Sequence, residues 1–182
     1  MDNSDLARGT DRLNATRQIQ QLASRYALTL DSRNMDDMVS LFIEDVQLGR
    51  DRFGREALRE HFHKVLSPFT TSFHLIGNHT IDFDDDDHAH GIVYCRAEHE
   101  DREHWVVAAL HYWDTYERRQ GRWYFARRKV VTLYVADMLE RPVGPVKRRW
   151  PGRPQQVCEL PAAWPTWKRF WDRQGVANPP MG

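Results

Sequence analysis

At 182 residues the chain has the length of one domain with a core of its own. Lys+Arg and Asp+Glu are balanced at 26 each, which removes any net-charge argument for a nucleic-acid or membrane-surface partner. Apolar residues make up 41% and charged residues 29%, within the soluble globular range, and no apolar run approaches the roughly 20 residues of a membrane span.

The N-terminal stretch MDNSDLARGTDRL lacks the apolar segment of a signal peptide, and residues 1–10 read as a polar, loose terminus. From Asp11 a helical period sets in: Ile19, Leu22, Ala23, Tyr26, Ala27 and Leu30 form one apolar stripe that ends at Asp31. Asn34 is placed to cap a second helix, with Asp37 at its third position and Met35, Met38, Val39 and Phe42 on its apolar face. The segment EDVQLGRDRFG reads as a short strand and loop. REALREHFHKVL is a third helix, with Ala57, Leu58, Phe62, Val65 and Leu66 inward and Pro68 closing it.

From Thr71 the texture changes to strands. TSFHLIGNHTIDF is the first, DDDDHAHG a turn region, GIVYCRAEHE the second, HWVVAALHYWDTYERR the third, and RWYFARRKVVTLYV the fourth after a turn at Gly121. Helices followed by an antiparallel meander make an α+β domain, with the helices gathered on one face of a curved sheet and a natural pocket between the layers. After Val135 the chain is rich in proline, which excludes a long helix or a regular sheet. There AAWPTWKRFWDRQ reads as a short amphipathic helix with Trp164, Trp167, Phe170 and Trp171 clustered. The resulting organisation is a terminus over 1–10, a domain over 11–136 and an extension over 137–182 that packs on the body or on a neighbouring subunit.

The segments YALTLDSRNMDDMVSLFIEDV, GREALREHF, SFHLIGNHTIDFDDDDHAHGIVYC and YWDTYERRQGRWYFARRKV together resemble the SnoaL-like branch of the nuclear-transport-factor-2-like superfamily, over roughly residues 11–136. The resemblance implies a cone-shaped α+β barrel with its pocket between sheet and helices. Members of the superfamily include scytalone dehydratase, hexachlorocyclohexane dehydrochlorinase, ketosteroid isomerase, cyclases, an epoxide hydrolase, dioxygenase small subunits and binding modules, so the fold alone leaves function open. In the dehydratase and dehydrochlorinase an aspartate ending the first long helix meets a histidine opening the long strand. Asp31 and His74 match those positions, and His111 is similar in place to a second pocket histidine of the dehydratase.

A free imidazole titrates near pH 6.5, at about 6.5 in model peptides, which suits general-base work. A carboxylate on one ring nitrogen fixes the tautomer and leaves the other lone pair for the substrate. The implied activity is that of a cofactor-free lyase, dehydratase or dehydrohalogenase in type, acting on a small hydrophobic cyclic molecule. Isomerase or cyclase chemistry with the same base, and a non-catalytic binding or dioxygenase small-subunit-like module, are the alternatives. Tyr26, Asn78, His111 and Arg127 are the candidate substrate contacts. Asn78 shares a face with His74 by strand alternation, and Arg127 shares one with Trp123 and Phe125.

Alternation raises a conflict at His74. Phe73, Leu75, Ile81 and Phe83 fall on one face and His74, Ile76, Asn78 and Thr80 on the other, so the more apolar face excludes His74 unless the curved sheet is covered on both faces or Gly77 marks a bulge. The run DDDDHAH has neither a glycine-punctuated calcium loop nor zinc spacing and reads as a solvated turn, so no metal is expected. Cys95 and Cys158 are too few for a disulfide framework and point to reduced thiols in a cytoplasmic protein. An exposed sheet face and an aromatic tail point to a homo-oligomer, dimer or trimer, with no nucleic-acid or membrane partner.

Overall fold

The computed structural model describes residues 3–140, 146–160, 162–163 and 165–173. Trp164 lies outside the described residues, as do the side chains of Phe170 and Trp171, so the expected aromatic cluster of the tail falls beyond them.

Helix α1 spans Asn3–Asp31, beginning well before Asp11, the start expected from the apolar period. Its stripe is buried as the period requires, from Ile19 to Leu30. Helix α2 (Met35–Ser40) is capped by the Asn34 side chain, which accepts from the Asp37 N–H at 3.2 Å. A small hairpin of β1 (Gln47–Leu48) and β2 (Arg52–Phe53) leads into α3 (Gly54–Leu66). Leu58 and Leu66 of α3 are buried, whereas Val65, expected inward, is exposed.

Strands β3 (Ser72–Phe83), β4 (His88–Asp101), β5 (His104–Arg119) and β6 (Arg122–Asp137) form the meander, each antiparallel to the next. His88 and His90, assigned to the turn by sequence, already pair in β4 with Glu117 and Thr115. The proline-rich extension adds two short strands, β7 (Val146–Arg148), parallel to β6, and β8 (Gln156–Val157), then α4 (Pro165–Arg173). The sheet runs in the order β3-β4-β5-β6-β7-β8 and is not closed into a barrel. Helix α1 packs against β3 and β6, so the core lies between the helices and the inner sheet face.

Three bulges set which residues face that core, the third at Leu133 of β6, where Ala109 lies opposite Tyr134 but Leu110 lies opposite Thr132. In β3, Ile76 lies opposite Cys95 but His79 lies opposite Val93, so one extra residue sits at Gly77–Asn78. Side-chain alternation therefore reverses phase there. Before the bulge Ser72, His74 and Ile76 point inward; after it His79, Ile81 and Phe83 do. This removes the conflict raised by simple alternation, and it leaves Phe73 and Leu75 on the outer face, 50% and 55% exposed.

The second bulge is in β6, where Thr115 lies opposite Arg127 but Tyr116 lies opposite Phe125. At Phe125 the backbone turns to the helical layer instead: its N–H donates to the Leu41 carbonyl at 2.9 Å and its carbonyl accepts from the Ile43 N–H at 3.0 Å. The inner surface is consequently built from Trp123 and Phe125 on one side of Ala126 and from Arg128 and Thr132 on the other.

Candidate functional site

The end of α1 is shaped by a C-terminal motif. The Asn34 N–H reaches the Thr29 carbonyl at 2.9 Å and the Arg33 N–H reaches the Leu30 carbonyl at 3.2 Å, with Arg33 in the left-handed region at φ 58°. That paired 6→1 and 5→2 pattern is a Schellman closure. It stops the helix one residue after Asp31 and aims the Asp31 carboxylate across to β3.

There Asp31 makes two bonds to one residue. Its Oδ2 accepts from the His74 backbone N–H at 2.9 Å, and its Oδ1 lies 2.6 Å from His74 Nδ1. The His74 side chain is 5% exposed and that of Asp31 24%. Both carboxylate oxygens are anchored by the same residue, so the imidazole has little freedom to turn. An ionised carboxylate can only accept, which puts the Nδ1 proton on His74 and leaves the Nε2 lone pair available.

A second histidine stands beside this pair, and it is His99, not His111. The His99 and His74 rings meet edge to face with centroids 5.3 Å apart. His99 is buried, stacks on Phe69 at 4.4 Å and faces Trp150. Burial, then the neighbouring His74 and Arg33, hold its pKa down to about 4. Local sequence carries no signal for this placement. It follows from the pairing of His99 with Ser72 at the open end of β3.

Deeper along the inner face lies a buried ion pair. Arg128 Nε and Nη2 donate to the Asp114 carboxylate at 2.8 and 2.6 Å, with side chains 3% and 0% exposed. The Tyr116 hydroxyl donates to Asp114 at 2.9 Å, and His79 Nε2 sits 3.0 Å from that hydroxyl. Because the hydroxyl proton is committed to Asp114, His79 is the donor in this contact. The guanidinium lies among the rings of Tyr112, Phe125 and Tyr26 at 4.0–4.2 Å. Its Nη1 is buried without a hydrogen-bond partner among the described residues. Burial raises the Cys95 thiol pKa to about 11, against the lowering effect of the Tyr112 hydroxyl and of Arg128. Val130 shares the inner face with Arg128 and Thr132 and remains 49% exposed.

The four expected substrate contacts divide unevenly. Tyr26 is inside, within the aromatic cluster of Phe42, Phe62, Tyr112 and Phe125, and burial raises its pKa to about 12. Asn78 is outside, because the bulge turns it away from the His74 face. His111 is also on the outer face, since it alternates with the inward Leu110 and Tyr112; there it packs on Tyr94 at 3.9 Å, and burial lowers its pKa. Asn78 and His111 line a shallow outer depression of about 310 Å³ with Leu75, Tyr94 and Leu133. Arg127 is exposed, and the bulge at Ala126 gives the inward position to Arg128.

In the acidic turn, His88 Nδ1 bonds Asp85 and His90 Nδ1 bonds Asp84, all on the exposed surface. Among the described residues no group of three or more His, Cys, Asp or Glu is arranged to hold a metal ion, and no helix is long and apolar enough to cross a membrane.

Comparison with known proteins places this geometry in context. The model of the SnoaL-like domain matches residues 11–129. A putative scytalone dehydratase from Novosphingobium aromaticivorans is 24% identical with TM-score 0.63, covering 80% of this chain and 99% of that one. The LinA structure is 26% identical with TM-score 0.67, covering 73% and 95%. A type 2 hexachlorocyclohexane dehydrochlorinase is 23% identical with TM-score 0.67, covering 80% and 99%. No curated protein matches the chain.

Proposed function

The chain belongs to the SnoaL-like domain family, and from that premise we propose that it is a cofactor-free lyase, of dehydratase or dehydrohalogenase type, acting on a small hydrophobic, cyclic organic molecule. The observation that carries this reading is the double anchoring of Asp31 on His74. The His74 Nε2 lone pair takes a proton from a carbon next to a carbonyl or to the carbon bearing the leaving group. The C–H electrons form the new double bond, and hydroxide or halide departs with the electrons of its own bond. Asp31 stabilises the imidazolium formed at His74, which then returns its proton to the leaving hydroxide or to solvent.

Arg128, buried on the inner face with Nη1 unpartnered among the described residues, takes the part of inward cation expected of Arg127. Tyr26 shapes the apolar wall beside it. The names of two structural relatives, a putative dehydratase and a dehydrochlorinase, support the reaction type. Isomerisation by the same base is the second reading, because an enol formed at the same carbon can be reprotonated elsewhere instead of expelling a group.

Turnover of a substrate found by thermal-shift screening of cyclic ketones, polyphenols and halogenated hydrocarbons tests the base assignment. His74→Ala is expected to lose about 10²–10⁴ in kcat with ligand affinity retained; full activity in that variant overturns the assignment. Expulsion of water or halide, against migration of a double bond, separates lyase from isomerase.

We also propose self-association through the outer sheet face, where Phe73, Leu75, Tyr94 and Trp105 are 37–55% exposed. A monomer by size exclusion with light scattering overturns it. The two free, buried thiols fit a reducing compartment, the cytoplasm.

A further inference from the structure

We propose that Arg33 and Ser72 are positioning residues that hold His99 as a neutral imidazole with its proton on Nε2, so that His99 offers a hydrogen-bond donor to a substrate oxygen beside the base. The proposal deepens the reading of His74 as base and rests on it for the word substrate.

The argument begins at the helix end. The left-handed position of a Schellman closure is usually glycine, and a residue with a Cβ there costs about 1–3 kcal/mol when it is not glycine or asparagine. Here it is Arg33. The strained backbone puts the guanidinium where it makes three bonds: Nη1 to the Leu30 carbonyl at 2.6 Å, and Nη2 to the Phe69 carbonyl at 3.1 Å and to Ser72 Oγ at 3.0 Å. The first two tie the α1 terminus to the segment preceding β3. The third acts on His99, because Ser72 Oγ lies 3.1 Å from His99 Nδ1.

The direction of that last bond follows from counting donors. A serine hydroxyl has one proton to give and two lone pairs to receive with. Arg33 can only donate, so it occupies a lone pair and turns the O–H dipole away from itself, toward His99. Ser72 is buried, and its Oγ contacts among the described residues are these two alone. If His99 Nδ1 carried the proton, the buried Ser72 proton would have no acceptor, at a cost of about 1–3 kcal/mol. With Nδ1 accepting, every group in the chain Arg33–Ser72–His99 is satisfied and Nε2 bears the hydrogen.

His99 Nε2 has no hydrogen-bond partner among the described residues, and its ring stands against that of His74. Burial, with His74 and Arg33 close by, keeps this imidazole uncharged at neutral pH, with a pKa of about 4. The two histidines thus have opposite roles set by their outer partners. Asp31 accepts a hydrogen bond from the Nδ1–H of His74, which leaves a lone pair at Nε2. Ser72 donates a hydrogen bond to Nδ1 of His99, which leaves an N–H at Nε2. A base flanked by a neutral donor suits a carbonyl or hydroxyl group on the carbon next to the one deprotonated. Within the proposed lyase class this favours oxygenated rings over halogenated hydrocarbons that lack such an acceptor.

Long-range 15N–1H spectra of the full chain at pH 7 read the tautomer directly and need no turnover. The wild type is expected to show His99 protonated at Nε2 and bare at Nδ1. Ser72→Ala is expected to mix the tautomers and Ser72→Thr to restore a single one. Arg33→Gly keeps the left-handed helix end but lacks the guanidinium, so it is expected to fold and to mix the tautomers as well. Titration with cyclohexanone is expected to move the His99 Nε2–H resonance, and chlorocyclohexane is not. A His99 protonated at Nδ1, or a tautomer unchanged in both Ser72→Ala and Arg33→Gly, overturns the relay; equal or absent response to the two probes overturns the oxygen preference.

These outcomes are independent of His74→Ala. Loss of the base reading with the expected tautomer leaves the relay standing, and the wrong tautomer with an inactive His74→Ala removes the relay alone.

Discussion

Replacing Asp31 by Asn preserves shape and removes the charge, which makes it the most informative change at this site. The two oxygens of Asp31 now serve two donors, the His74 N–H at 2.9 Å and the ring Nδ1 at 2.6 Å. An asparagine has one oxygen and one NH2. If the oxygen faces the backbone, the NH2 faces Nδ1 and drives the ring proton to Nε2, which consumes the lone pair needed for catalysis. If the oxygen faces the ring, the NH2 abuts the backbone N–H, two donors nose to nose. Either way the catalytic tautomer is penalised, so kcat is expected to fall by about 10²–10⁴, the usual worth of a general base. Hydrogen bonds to a charged group contribute about 1.5–3 kcal/mol, and a carboxylate at 24% exposure retains part of its hydration, so a net loss of about 2 kcal/mol in stability is reasonable. For a chain of this size that lowers Tm by roughly 4–8 °C. Initial rates on an identified substrate and a circular-dichroism melt measure both. An Asp31→Asn variant within threefold of wild-type kcat refutes the reasoning, because no arrangement of an amide can reproduce two acceptors.

Three further outcomes follow from the core. Arg128→Met leaves the Asp114 carboxylate buried without its cation and is expected to cost about 3–5 kcal/mol by urea denaturation, while Arg127→Ala on the outer side stays within about 0.5 kcal/mol. At Gly91 an added Cβ collides with the Thr80 carbonyl oxygen, a backbone atom that cannot swing aside; Gly91→Ala is therefore expected to destabilise by about 2–3 kcal/mol in the same assay. His99 has its folded-state pKa lowered to about 4 from 6.5 by burial first, so between those values the unfolded chain binds a proton that the folded chain does not. Stability is thus complete above pH 6.5 and lost as pH falls toward 4, by up to about 3 kcal/mol, and His99→Gln should flatten that part of the pH–stability curve.

The sequence carried the architecture further than the site. The apolar stripe of α1, the Asn34 cap and the order of the four long strands were all legible, because each is written in local periodicity or a single capping residue. Asp31 and His74 were legible through family resemblance, and their contact is observed. What alternation could not supply was phase. Counting in twos across Gly77 and Ala126 puts Asn78 and Arg127 inward, but at both places the strand inserts an extra residue. Gly77 carried a hint; Ala126 carried none, since alanine is unremarkable in a strand and the reason for the bulge is the pairing of Phe125 with Leu41 and Ile43, far away in sequence. His99 was invisible for a related reason: its place beside His74 depends on the register of β3 on β4, which no short window contains.

The extra residue at Gly77–Asn78 makes the spacing of this strand matter more than its lettering. Both members of the pair are exposed, and a Cβ on Gly77 meets only ordinary contacts, so many substitutions there should pass unnoticed. Deleting a single residue would instead roll half of the strand over, either sending the imidazole of His74 into solvent or expelling Ile81 and Phe83 from the core. In a drifting lineage this dipeptide is free to change its identity and is barred from changing its length.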